Sequence, residues 1–186
     1  MPPKVKITAE KVADTAFALV RESGEGALNA RSIAAALGCS TQPIFSNYSN
    51  MEALRAAVIE RAEKLFYEYM RRETESGLYP AYKASGMAYI RFAKDEKELF
   101  RILYMRDRRE ESVPENDALF SAMTGTVARN TGLDPESSEL FHLEIWAFVH
   151  GIATMHATNF LELDTELISR MLTDSYQGLR KRYGVE

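Results

Sequence analysis

Between Leu37 and Asn50 the chain reads LGCSTQPIFSNYSN, without one charged side chain, although 27% of the protein is charged. Ser40, Thr41, Gln42, Ser46 and Asn47 gather hydroxyls and amides around Pro43 and Ile44. Such groups do no acid–base work near neutral pH. They make neutral hydrogen bonds, the chemistry with which proteins read base edges and hold phosphate oxygens, while Pro43 offers an apolar surface to a thymine methyl. The surrounding charge agrees. From residue 26 to residue 51 there is Arg31 and no acid at all. The net charge of −4 hides this asymmetry: residues 1–50, with Lys4, Lys6, Lys11, Arg21 and Arg31, balance at +1, and residues 51–186 at −5. A carboxylate-free surface is what a polyanion tolerates, and an acidic remainder keeps the other side of the molecule away from it.

Other chemistries find no constellation. There is no Gly-rich phosphate loop, no nucleophile elbow and no carboxylate pair set among apolar residues, so no catalytic residue is assigned. His142, His150 and His156 are spaced by eight and six, which does not set adjacent ligands on one helix face. Neither a metal nor any other cofactor is therefore assigned. Cys39, the one cysteine, excludes an internal disulfide and suits a reducing compartment; it reads as buried packing. No run of about 18 apolar residues spans a membrane, and MPPKVKITAE lacks the apolar core of a secretory signal. The expected location is the cytoplasm.

The elements that position the polar segment are helices. At 46% hydrophobic, with six prolines and ten glycines among 186 residues, the chain can bury a sizeable core, and no useful strand alternation appears. The fold class is all-α. Thr8 caps a helix to about Ser23, and Asn29 caps a short one, ARSIAAAL, with Ile33, Ala34 and Leu37 inward before Gly38 breaks it. Ser40 is expected to cap a second short helix, 41–47, with Pro43 in its first turn and Ile44 and Tyr48 as anchors. A long helix follows over 50–74, then helices near 81–93, 97–105, 117–129, 136–158 and 165–182, with RDRREESVPEN as a loop. Two short capped helices joined by GCS match a helix-turn-helix whose second helix lies in the major groove. The domain division expected is 1–50 for this module and 51–186 for a helical remainder, with helix 51–74 connecting them.

Residues 28–58, LNARSIAAALGCSTQPIFSNYSNMEALRAAV, resemble without a gap the tetracycline-repressor (TetR/AcrR) family of regulators, through Ile33-Ala34, Gly38, Phe45, Tyr48 and Glu52-Ala53-Leu54. AYIRFAKDEKELFRILY (88–104) and WAFVHG (146–151) are similar to the Trp-His-Gly type of C-terminal domain in that family. The resemblance implies a homodimeric, ligand-responsive transcriptional regulator, most often a repressor, that binds double-stranded operator DNA. It implies DNA contacts from Arg31, Ser40, Thr41, Gln42, Pro43, Phe45, Ser46 and Asn47, with Lys4 and Lys6 supplying charge. Two positions depart from the pattern: Phe45 stands where the family has a phosphate-binding Tyr, and Met51 where it has a Lys. Both losses favour an alternative, a helical small-molecule-binding protein that has lost DNA binding.

The resemblance also implies a cavity for a small-molecule effector in the Met- and aromatic-rich helices, assigned to Phe66, Met87, Phe92, Tyr104, Met123, Trp146 and His150. His150-Gly151 marks close helix packing in this reading. The last two helices carry apolar stripes, Phe141, Ile145, Phe148, Val149 and Ile152 on one and Leu167, Ile168, Met171, Leu172, Tyr176 and Leu179 on the other. These are expected to pair two copies through a four-helix bundle.

Overall fold

The computed structural model describes residues 7–107 and 118–185. Among them lie nine α-helices: α1 Ala9–Ser23, α2 Ala30–Leu37, α3 Gln42–Asn47, α4 Met51–Glu75, α5 Ala81–Asp95, α6 Lys97–Tyr104, α7 Ala118–Thr131, α8 Pro135–Ala157 and α9 Thr165–Arg182. A short 3₁₀ turn, Glu25–Ala27, links α1 to α2, and no strand occurs among the described residues. The all-α architecture expected from the sequence is the one observed. Lys4, Lys6 and all but the first two residues of RDRREESVPEN lie outside the described residues.

The chain divides into two compact units. One takes the residues through Tyr67 together with Glu96–Arg106, and the other takes Glu68–Asp95 with the residues from Asp107 onward. The division falls inside α4, beyond the residue 50 at which the sequence divides, and α6 joins the N-terminal unit. The core of that unit is small and closely spaced: Val12, Ala13, Ala16 and Val20 of α1, Ile33 and Ala34 of α2, Ile44 of α3, and Leu99, Phe100, Ile102 and Leu103 of α6 are buried. α4 adds Leu54, Val58, Ala62 and Phe66, four residues apart along one ridge. Leu65, expected on that ridge, is half-buried, because a strict four-residue step leaves it to the side.

In the C-terminal unit α5, α7, α8 and α9 form the core, with α5 and α8 as its central pair. α5 is the most buried helix, with Tyr82, Ala84, Met87, Ala88, Tyr89, Ile90, Phe92 and Ala93 inward. Gly86 sets how close its neighbours come, since a Cβ there would lie 3.3 Å from Leu172 Cδ1 and 3.4 Å from Val149 Cγ2. Asp134 caps α8 through Ser137 N, and Asp164 caps α9 through Leu167 N.

Candidate nucleic-acid interface

The α2–α3 module is held by local chemistry. Asn29 Oδ1 accepts from Ser32 N at 2.9 Å to start α2. Gly38 ends it in the left-handed region, φ 65° and ψ 35°, which a residue with a Cβ adopts only under strain. The expected cap at Ser40 is not formed. Thr41 precedes α3 in helical geometry, φ −72° and ψ −14°, and no side chain caps the helix. The cause is Pro43. It removes one of the amides a cap would serve, and Ile44 N is already donated to Thr41 O at 3.1 Å.

Ile44 is fully buried and fixes the rotation of α3 on the core. Around it the polar residues divide. Asn47 turns inward, its Nδ2 donating to Ile7 O at 3.1 Å and Pro43 O at 2.7 Å. The Tyr48 hydroxyl donates to Ala9 O at 3.1 Å. These two tie α3 to the start of α1. Gln42 and Ser46 stay exposed, as do Arg31 and Ser40, Phe45 is 50% exposed, and Thr41 and Pro43 are half-buried. The Ser46 hydroxyl donates to Gln42 O at 2.9 Å and keeps its lone pairs for another donor. Cys39 and Leu37, expected to be buried, are half-buried, because α2 is too short to cover its own last turn.

Electrostatics favour this side. Asn50 caps α4 through Ala53 N at 2.8 Å without adding charge. Of the carboxylates near the module, Glu25 is paired with Arg55 at 2.7 Å and Asp14 with Arg61 at 2.9 Å. Arginines of α4 thus neutralise acids that would otherwise repel a polyanion.

The residues assigned to an effector are drawn from both units. Phe66 and Tyr104, whose rings meet edge to face at 5.7 Å, belong to the N-terminal unit. Met87, Phe92, Met123, Trp146 and His150 belong to the C-terminal unit, where Met87 and Phe92 are buried on α5. Trp146 is 39% exposed and stacks on His150, centroids 5.2 Å apart. Two rungs that the sequence reading missed cross from α5 to α8: the Tyr82 hydroxyl shares a 2.9 Å hydrogen bond with His142 Nδ1, and the Tyr89 hydroxyl does the same with His150 Nδ1. Burial pushes both phenols up and the His150 imidazole down from its ordinary value, so each of these groups is held neutral. The seven-residue step on α5 and the eight-residue step on α8 were the available signal. Among the described residues no group of His, Cys, Asp and Glu comes together in a way that could hold a metal ion.

The apolar stripes assigned to a dimer need correction. Phe141, Ile145, Val149 and Ile152 of α8 and Ile168 and Leu172 of α9 are buried within their own unit, because α5 lies against both helices. Gly151 is not the point of close packing either, since a Cβ there would meet nothing within 4 Å. The large apolar side chains left exposed on α8 are Leu140 at 46%, Leu143 at 45% and Trp146.

Residues 82–175 match the family described as tetracyclin repressor-like, C-terminal domain. No curated protein matches the chain. The crystal structure of a TetR-like transcriptional regulator from Rhodococcus sp. RHA1 superposes with a TM-score of 0.71 at 19% identity, over 96% of this chain and 98% of that one. A protein of unknown function from Rhodococcus sp. RHA1 gives 0.68 at 18% identity, over 100% of this chain and 99% of that one. At these identities the likeness to the two structures is one of fold.

Proposed function

The chain belongs to the tetracyclin repressor-like family, and from that premise we propose that it is a homodimeric transcriptional regulator that binds operator DNA through α3 and releases it on binding a small molecule. The observation that carries the reading is the exposed side of α3. Gln42, Phe45 and Ser46 face outward beside Arg31, with Ile44 anchored beneath, and the carboxylates Glu25 and Asp14 are paired with arginines. In the major groove Gln42 would read a base edge bidentately, Phe45 or Pro43 would meet a thymine methyl, and Arg31 would take a guanine or a phosphate. Ser40, Thr41 and Ser46 would hold phosphate oxygens, and Lys4 and Lys6 would add charge. Asn47 has a different task in this scheme: it holds the module together.

Two half-sites about 34–36 Å apart, or a multiple of that, need two copies. The exposed side of α8 supplies the surface for the second. Leu140 and Leu143 lie one turn apart, and Gly151 leaves open space for a partner helix. In this reading the effector binds among α5, α7 and α8, a position supported by the buried Met87 and by the Tyr89–His150 rung, which offers a polar handle beside apolar surface, with Met123 as a further apolar contact. An effector that favours the wrong head spacing by about 3 kcal/mol weakens operator binding about a hundredfold. The working place of such a protein is the cytoplasm.

The test is a fluorescence-anisotropy titration on random duplex at about 50 mM and about 200 mM salt, with affinity falling by orders of magnitude between them. Absence of binding at the lower salt selects the second reading, a helical small-molecule-binding protein without DNA activity, which Phe45 and Met51 favour because neither offers the phosphate a donor.

A further inference from the structure

α4 carries an acid where its periodicity asks for an apolar residue. Leu54, Val58, Ala62 and Phe66 form its buried ridge, and Glu73 returns to the same side seven residues beyond Phe66. The Glu73 side chain is 3% exposed, and among the described residues it is the one buried carboxylate of the C-terminal unit. Its ion-pair partner is Arg91 of α5, whose Nη1 lies 2.8 Å from Oε2 and whose side chain is 46% exposed. Oε1 is buried as well and meets no donor from the protein. A guanidinium half in water is screened, so it offsets only part of the charge it faces. An enclosed carboxylate oxygen without a donor is among the costliest groups a core can hold. Stability gives no reason for it, because an apolar side chain at position 73 would complete the same ridge without that cost.

The surroundings fit an organic cation. Tyr69, one turn before Glu73, meets Phe92 edge to face at 5.4 Å, and Phe92 directly follows Arg91. Met87, buried one turn before Arg91, is the residue already proposed to meet the effector. Aromatic and thioether surface thus stands beside an acid with one oxygen to give, a combination that suits an ammonium group carried on an apolar body. We propose that Glu73 anchors a binding site for an apolar amine, whose ammonium group donates to Oε1 while its body lies against Tyr69, Phe92 and Met87. The proposal names the chemical class of the effector. It rests on the regulator reading for the consequence of binding, and not for binding itself. Arg91 acquires a second role, since its charge competes with that of the ligand for one carboxylate.

Isothermal calorimetry on the full chain tests this with phenylalkylamines of increasing chain length, each beside the alcohol and the carboxylic acid of the same body. At neutral pH the best amine should bind about tenfold more tightly than its alcohol, because its bond to the carboxylate is charge-assisted, and the acid should not bind. Glu73→Gln keeps the size of the side chain and should erase the preference for the amine. Arg91→Gln should act in the opposite direction and tighten amine binding by about tenfold, since it removes the competing charge. An ion pair that served the fold alone would lower the melting temperature in both variants and alter the ranking of ligands in neither. Equal binding of amines and alcohols by the native chain, or no amine bound at all, overturns the proposal. A preference that persists in Glu73→Gln does the same. Should Glu73→Gln fail to fold, Arg91→Gln decides alone, and amine binding that weakens there overturns the proposal. Amine preference in a chain that binds no duplex upholds the site and overturns the regulator reading. Duplex binding without amine preference upholds the regulator and overturns the site.

Discussion

The two units turn opposite faces to the outside. Around α3 the apolar anchor Ile44 points in, and amides, hydroxyls and a guanidinium point out. Around α8 the polar groups point in, where His142 and His150 are bonded to tyrosines of α5, while Leu140, Leu143 and Trp146 point out. A polar exterior without carboxylates is an ordinary surface to water and a good one to phosphate. An apolar exterior on a helix whose other side is already filled is a candidate contact surface, since exposed leucines one turn apart gain free energy when something covers them. The contrast is what the proposed function draws on, with one face offered to nucleic acid and the other to a second copy of the chain.

The largest effect should come from breaking the apolar face. Leu140→Glu with Leu143→Glu should leave the fold intact and yield a 21.0 kDa species by light scattering in place of twice that mass. Operator affinity should fall by about a hundredfold or more, because a monomer reads one half-site and loses the gain from linking two. Leu172→Glu serves as the contrast. Leu172 lies against Gly86 inside the unit, so a buried charge there should cost several kcal/mol (on the order of 3) and be seen as lost folding rather than as a monomer. A native chain that is monomeric at micromolar concentration and still binds operator tightly would sink the assignment of α8.

The polar face is sharpened by two neighbours that the sequence treats alike. Gln42→Ala should cost about 1–3 kcal/mol on the preferred site and relax preference at one base pair. Asn47→Ala should lower folding stability by about 1 kcal/mol through the lost bonds to Ile7 O and Pro43 O, and leave the sequence preference as it was. Equal loss on every duplex for Gln42→Ala would make it a phosphate contact instead. A smaller change is expected from Met51→Lys, which places an ammonium on the first residue of α4. Binding should tighten at low salt and the salt dependence should steepen by about one counterion. An unchanged slope would show that phosphate does not approach Met51.

What the sequence made legible follows the range of the forces involved. Caps at Thr8 and Asn29, the left-handed Gly38 and the anchor Ile44 depend on residues within one turn, and each stands where its type and spacing put it. Ser40 misled because the cap depends on which amides are free, and Pro43 with Thr41 changes that count. The α8 and α9 stripes misled for a different reason. Periodicity identifies an apolar side without saying whether it meets its own chain or another, and α5, itself buried on most sides, claimed both. The division of labour between Asn47 and Gln42 was invisible for the same reason, since it rests on Ile7, forty residues away from Asn47.

The smallest effect separates the inner polar groups of the C-terminal unit from the outer ones of the N-terminal unit, and it is read by pH. Burial holds the half-buried His150 imidazole below its ordinary value, between the Tyr89 hydroxyl and the Trp146 ring. The unfolded chain therefore takes up the proton first as the solution is acidified. Where the unfolded state binds more protons, stability rises with pH. The contribution of His150 is accordingly neutral above about pH 6.5, the ordinary imidazole value, and turns into a penalty as pH falls below it. The penalty levels off once the folded imidazole is protonated as well. His150→Asn keeps a hydrogen-bonding group toward Tyr89 but cannot titrate, so the melting temperature of the variant should fall less steeply than that of the native protein below about pH 6.5. The two curves should run parallel above that pH. Duplex affinity at neutral pH should be unchanged, because His150 lies in the C-terminal unit and carries no charge there. Identical slopes in acid would mean that the Tyr89–His150 rung opens to water before the unit unfolds, and that the inward polar groups of α8 are less enclosed than those which Asn47 and Tyr48 close behind α3.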